Sequence, residues 1–345
     1  MLSVYTIEQR EAWDTVVRSF AGYDIYYLSG YVKAFQIHGD GEPLLFYYED
    51  DHLRGINVVM KRDISKDSHF SGKLPENTYF DFATPYGYGG WLLEGNGDPE
   101  RLAEEYGSWC REHSVVSEFV RFHPVLENHL RILSVYDVIG LGHTISMDLS
   151  TPETIWENIT SKNRNMIRKA KKNGIRIYRA QNPQIYEIFR VIYNETMDKD
   201  HAAEYYYFSP DFYRSILQDL PANAQIFYAE QNGEIIAASI MLVANGRMTY
   251  HLSGSRKGYQ NLAPTNLLLY EAALWGCANG CRTLHLGGGV GSREDSLYGF
   301  KKSFYRKEPC RFHIGKKIWN QDIYQELLHK REGELNTNFF PVYRG

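Results

Sequence analysis

Two Asn-Gly steps, Asn232-Gly233 and Asn245-Gly246, constrain this chain more than any other feature. Each supplies the positive-φ pair that a two-residue hairpin needs, so AQIFYAE, EIIAASIMLVA and RMTYHLSGS read as a three-stranded meander. Ile235 to Val243 is apolar on both faces, as expected of a central strand covered on each side. APTNLLLYEAALWGCANG follows as a buried helix, TLHL as a strand, and LGGGVGSREDSLYGFKKSF as a glycine-rich loop entering a short helix.

The first half repeats this order. Glu11 to Phe20 and Leu28 to Ile37 read as short helices, and PLLFYYE with LRGINVVMKRDI as a hairpin. DPERLAEEYGSWCREHS is an amphipathic helix with Asp98 as N-cap and Pro99 in its first turn, and EFVRFHP is the strand beyond it. The reading is a tandem duplication in an α/β (α+β) chain, with residues 1–145 and 146–345 as two similar domains. Each is a mixed, largely antiparallel sheet flanked by helices. At 345 residues the chain is long enough for two cores.

Net charge of −4 argues against a dedicated nucleic-acid binder while leaving room for a local basic groove. No stretch approaches the roughly 20 apolar residues of a membrane span, and the N-terminus lacks the pattern of a secretory leader. Cys110, Cys277, Cys281 and Cys310 form no CxxC pair or framework spacing, so free thiols and a cytoplasmic location are expected, with only peripheral membrane contact open. Oligomeric state is not legible.

Residues 152–173 read as one helix ended by Asn173-Gly174, and from Lys162 to Arg179 there are eight Lys or Arg and no acid. Arg164, Arg168 and Lys171/Lys172 share a face suited to phosphate contacts, unless it is a solvated face. On RMTYHLSGS, strict alternation puts His251 and Ser253 on one face and Tyr250 on the other. His251 is a candidate general base, against the alternative of a satisfied structural histidine. Asp198, His201 and Glu204 carry an HxxE spacing without a further ligand nearby, so no metal site is expected. Gly287, Gly288 and Gly289 lack the lysine and hydroxyl of a phosphate loop and read as a sharp strand exit.

Taken in order, SKNRNMIRKAKKNG, YHLSGSRKGYQNLAPTNLLLYEA, and LHLGGG with LYGFKKSF resemble the FemABX family and its FemAB-like (BioF2-like) relatives. Arg164, Ile167, Arg168, Lys169 and Ala170 match its R-x-x-I-R-K-A helix. Leu297, Phe300, Lys301 and Phe304 match its closing L-x-x-F-K-x-x-F segment. YYLSGYVKAF, TPYGYGG and EFVRFHP look like its smaller members. The resemblance implies two GNAT-like domains and transfer of an activated acyl group to an amine, without the coiled-coil arm that some members carry.

It also implies the donors: aminoacyl-tRNA in the family proper, acyl-CoA in ordinary GNAT enzymes, each a cosubstrate and not a tightly bound cofactor. The GNAT pyrophosphate loop is altered here, because Gln260 to Thr265 lacks both glycines and Pro264 removes a donor. Arg256, Lys257 and Gly258 are the expected phosphate contacts. Lys301 is the expected oxyanion donor, with Phe300 beside it and His251 as base. Arg164, Arg168, Tyr250, Ser253, Tyr259 and Asn266 are the expected substrate-binding set.

The function expected is acyl or aminoacyl transfer onto an amine of a cell-envelope or glycan precursor, small or nucleotide-linked, with charged tRNA a candidate partner. The alternative is an acyl-CoA-dependent N-acyltransferase on an aminosugar or amino acid. An α-amine of pKa near 8 is about a tenth neutral at pH 7 and needs little help, whereas a lysine amine is neutral in roughly one molecule in a few thousand. No Ser-His-Asp or Cys-His set is present, so direct transfer is expected.

Overall fold

Both Asn-Gly steps take left-handed backbone: φ is 52° and 81° at Asn232 and Gly233, and 48° and 69° at Asn245 and Gly246. The two hairpins therefore close in two residues each. The computed structural model describes Met1 to Gly345 and divides into two units, residues 1–141 with 312–345, and residues 142–311.

The first unit starts with β1 (Leu2–Thr6), α1 (Arg10–Arg18), α2 (Ser29–His38), β2 (Glu42–Glu49) and β3 (Leu53–Asp63). It continues through β4 (Phe80–Ala83), β5 (Leu92–Gly95), α3 (Glu100–Glu112) and β6 (Val115–Arg121). Strands β1 to β4 pair antiparallel in succession, and β4 runs parallel to β6. Phe46, Phe82, Trp91 and Tyr106 fill the core between this sheet and α3. The cap position of α3 is Pro99 and not Asp98, whose carboxylate lies one residue earlier and accepts the Glu100 N–H at 2.9 Å. Then β7 (Asp137–Asp148) begins, and from Gly142 on it belongs to the second unit.

The second unit holds α4 (Pro152–Asn158), α5 (Ser161–Lys172), β8 (Arg176–Ala180), α6 (Pro183–Lys199) and α7 (Pro210–Asp219). The meander follows as β9 (Ala224–Gln231), β10 (Glu234–Ala244) and β11 (Arg247–Ser255). Beyond it come α8 (Pro264–Ala278), β12 (Thr283–Gly287) and α9 (Ser296–Lys302). The sheet order is β7-β12-β11-β10-β9-β8. The single helix expected over 152–173 is broken: Ile159 and Thr160 are extended, and the Thr160 hydroxyl caps α5 by accepting from Asn163 N. The Thr160 N–H donates to the Ser303 carbonyl at 2.9 Å instead of continuing a helix.

One face of this sheet packs on α5 and α8 through Ile145, Met147, Met241, Leu267, Leu284 and Leu286. Helix α6 lies against β10 and β11. It approaches so closely that a Cβ on Gly254 would stand 2.7 Å from the Ile192 carbonyl, which explains the glycine.

The last elements are β13 (Cys310–Ile318) and α10 (Gln321–Lys330). Residues 146–345 were expected to form the second domain, but those from Phe312 on belong to the first unit. β13 pairs antiparallel with β6 from Ile314↔Arg121 to Ile318↔Ser117. Fully buried Tyr343 donates to Asp81, and Arg344 reaches Asp81 at 2.6 Å and Asp67 at 3.0 Å. The strand that follows the first copy, β7, pairs with β12 in the second unit, from Thr283↔Asp148 to Gly287↔Ile145. Each copy's final strand thus completes the sheet of the other.

Candidate active site

The parallel strands β11 and β12 pair over only three residues, Arg247↔Thr283 to Thr249↔His285. Beyond Thr249 they separate, although β11 runs on to Ser255 and β12 to Gly287. The separation coincides with a bulge. Ile240 pairs with Leu252 but Met241 with Tyr250, so His251 is an extra residue on β11.

The bulge overturns the face assignment made by alternation. Ser253 opposes Ser239 and Tyr250 opposes Met241, so Tyr250 and Ser253 share one face. Ser239 Oγ donates to Ser253 Oγ at 2.8 Å. Burial raises the Tyr250 phenol above its ordinary range, and the hydroxyls of Ser253 and Ser239 partly offset this. Burial lowers the His251 imidazole to about 3.

Lys301 lies in the last turn of α9. Its Nζ turns back to donate to the Gly288 carbonyl at 2.6 Å, just past the end of β12. The residue is 9% exposed, and burial lowers its pKa to about 8 against an opposing pull from Asp295. Asp295 is spoken for: one carboxylate oxygen accepts from Tyr298 N at 2.9 Å and the other from Val290 N at 3.0 Å. It caps α9 and fastens the glycine-rich loop to it. Lys302 points elsewhere, to the Lys307 carbonyl. Phe300 packs edge-on to Phe304, 5.4 Å between ring centroids, in the core beneath.

The other expected residues, Lys257 apart, have structural partners. Arg164 and Arg168 lie over the Trp156 ring, 5.8 and 5.2 Å from its centroid. Arg256 pairs with Glu195 at 3.2 Å and Glu234 at 3.7 Å, and its Nε donates to the Ile235 carbonyl. Tyr259 donates to Glu234 at 2.8 Å. Lys257 is exposed, and Gly258, at φ 94°, donates its N–H to Gln260. Asn266, in the first turn of α8, donates to Asn163 of α5 at 2.8 Å. Of the three expected phosphate contacts, Lys257 is the one uncommitted cation.

Helix α8 is the element a thioester's pyrophosphate would address. Ala263 precedes it in left-handed backbone at φ 59°, and Pro264 occupies its first position. The N–H groups of Thr265 and Asn266 remain as first-turn donors for an anion. Sequence reasoning missed Asp295, the Gly288 carbonyl and the β11 bulge. The bulge leaves no mark in one strand taken alone, because it is a property of register. A separate cleft of about 350 Å³ in the first unit, lined by Glu104, Arg111, Lys317 and Trp319 among others, holds none of these groups.

Residues 161–302 match the family model described as "Acetyltransferase (GNAT) domain". No curated protein matches the sequence. Among solved structures, FemX is similar with a TM-score of 0.67 and 12% identity, over 96% of this chain and 100% of that one. The C-terminal domain of an Agrobacterium fabrum lysylphosphatidylglycerol synthetase is similar with a TM-score of 0.56 and 14% identity, over 94% and 95%. A tandem GNAT protein from the clavulanic acid biosynthesis pathway gives a TM-score of 0.50 and 9% identity, over 93% and 99%. The chain has the fold of FemX over nearly its whole length, and its residues 161–302 match the GNAT acetyltransferase domain.

Proposed function

We propose that this acyltransferase moves an acyl group from a coenzyme A thioester to an amine by direct attack, with Lys301 as the oxyanion donor. The observation that carries the reading is the enclosed Lys301 ammonium just past the end of β12. A donor held there, with little water around it, stabilises charge that develops on a carbonyl oxygen far better than an exposed one. The neutral amine adds to the carbonyl carbon, the tetrahedral oxyanion accepts a hydrogen bond from Lys301, and collapse breaks the C–S bond. The nitrogen loses its proton, and the thiolate takes up one. A lysine of pKa about 8 is close to a thiol in acidity, so Lys301 is matched to supply that proton.

The match of 161–302 to a GNAT acetyltransferase domain supports coenzyme A as carrier. A charged tRNA is the second reading, favoured by Ala263-Pro264 where ordinary GNAT loops have glycine. The family resemblance in the sequence supports an amine of a cell-envelope or glycan precursor as acceptor. The test is thiol release from acetyl-CoA with a panel of amines, beside transfer from radiolabelled aminoacyl-tRNA. Amine-dependent thiol release that vanishes in Lys301→Ala is expected; transfer from tRNA alone would overturn the donor assignment.

A further inference from the structure

The face of β7 and β12 turned away from α8 is unusual in being both buried and polar. Along β7, Ile145 and Met147 enter the apolar core, so Thr144 and Ser146 take the opposite face. Ser146 opposes His285 on β12, and His285 in turn opposes Thr249 on β11. The four residues are 3%, 9%, 3% and 7% exposed in the order Thr144, Ser146, His285, Thr249. Neither Thr144 Oγ1 nor Ser146 Oγ has a protein hydrogen-bond partner. Buried hydroxyls are nearly always paired, so two unpaired ones in a single row point to a ligand that pairs them.

The row begins beside the catalytic lysine. A Cβ on Gly288 would stand 3.6 Å from Thr144 Cγ2, and the Gly288 carbonyl is the one that holds Lys301. The four contain no lysine, arginine or carboxylate. Asp148, next along this face, accepts from Ser150 N at 2.9 Å. At the other end His143 and Glu294 pair with each other at 2.9 Å. Phosphate and carboxylate groups would find no cation along the row beyond Lys301 at its end, whereas hydroxyls find both donors and acceptors.

We infer that Thr144, Ser146, His285 and Thr249 bind the hydroxyl groups of the acceptor, so that the acceptor is an amine carried on a polyol, of the aminosugar class. The inference rests on the acyltransferase reading above. The loop Gly287–Arg293 covers the Thr144 end: a Cβ on Gly142 would strike the Ser292 carbonyl at 1.9 Å, and one on Gly288 the His143 carbonyl at 2.7 Å. The acceptor enters as that loop lifts, which also frees Lys301 from Gly288.

The experiment is a thermal-shift and acetyl-transfer comparison of D-glucosamine with cyclohexylamine, an amine of similar ring size without hydroxyls, on the full chain. D-glucosamine is expected to raise the wild-type Tm and cyclohexylamine to leave it unchanged. Thr144→Val/Ser146→Ala is expected to melt cooperatively, to lose the glucosamine shift and to raise its KM at least tenfold with the KM for acetyl-CoA unchanged. Lys301→Ala should keep the glucosamine shift. Equal shifts from the two amines, no shift from glucosamine, or a double variant that binds it like wild type would overturn the inference. If the double variant fails to fold, Thr144→Ser must retain the shift and Thr144→Val lose it. Glucosamine binding without any acetyl transfer would instead sink the acyltransferase reading and leave this site standing.

Discussion

The Lys301 ammonium is held by the Gly288 carbonyl at 2.6 Å and by no carboxylate. A cation kept this way is available to an incoming oxyanion, because exchanging a carbonyl for a charged oxygen strengthens its hydrogen bond. The arrangement has a cost, since burial brings the pKa down to about 8 and Asp295 opposes it only in part.

Lys301→Met should lower turnover at least about a hundredfold while making the protein more stable. The folded pKa of about 8 lies below the ordinary 10.5. The penalty is thus fully present below pH 8 and disappears as pH rises toward 10.5. At pH 7 the variant should gain up to about 3 kcal/mol, read by urea denaturation at pH 7 and 10. In the wild type, turnover should fall as pH rises through about 8, and a flat alkaline limb would exclude Lys301 as a proton-bearing group.

Asp295→Ala should act through Lys301. The carboxylate raises the lysine's pKa as well as capping α9. Its loss should move the alkaline limb of the pH–rate profile to lower pH, with turnover at pH 8 reduced more than at pH 6. Equal reductions at both values would assign Asp295 to loop and helix geometry alone.

Glu118, fully enclosed on β6, accepts from Asn57 Nδ2 and Trp319 Nε1, each at 3.2 Å. Burial raises its carboxyl from 4.5 to about 7, with Asn57, Tyr136, Tyr106 and Trp319 pulling the other way. The folded state therefore holds a proton that the unfolded state releases, and wild-type stability should decline between about pH 4.5 and 7. The decline should approach about 3 kcal/mol, and Glu118→Gln should flatten it. Chemical denaturation at pH 5 and 8 checks the slope.

Arg344→Ala should destabilise the first unit by about 3 kcal/mol, since it strips one of two cations from Asp81, a carboxylate with no exposed surface. Arg62, at 2.7 Å, stays in place. Arg344→Ala/Asp81→Asn should recover much of the loss, which a double-mutant cycle on urea midpoints would show.

What the sequence made legible was local. Asn-Gly turns and the apolar β10 follow from short-range chemistry, and the Phe300-Lys301 motif led to an enclosed lysine. What it hid depends on partners distant in the chain. Alternation set Tyr250 against Ser253 because the extra residue at His251 is visible only beside β10. The basic run of α5 read as an anion site because nothing in it tells that Trp156 lies under Arg164 and Arg168. Residues 312–345 were assigned to the wrong unit because sequence order does not say whose sheet edge β7 and β13 will join.

That exchange of β7 and β13 makes the duplication irreversible in a practical sense. A gene cut at the internal seam would yield two polypeptides, each carrying its sibling's missing edge and lacking its own. Neither would be expected to fold alone, whereas mixing them should restore both at once by fragment complementation. The second copy cannot be inherited, swapped or engineered as a free-standing cassette.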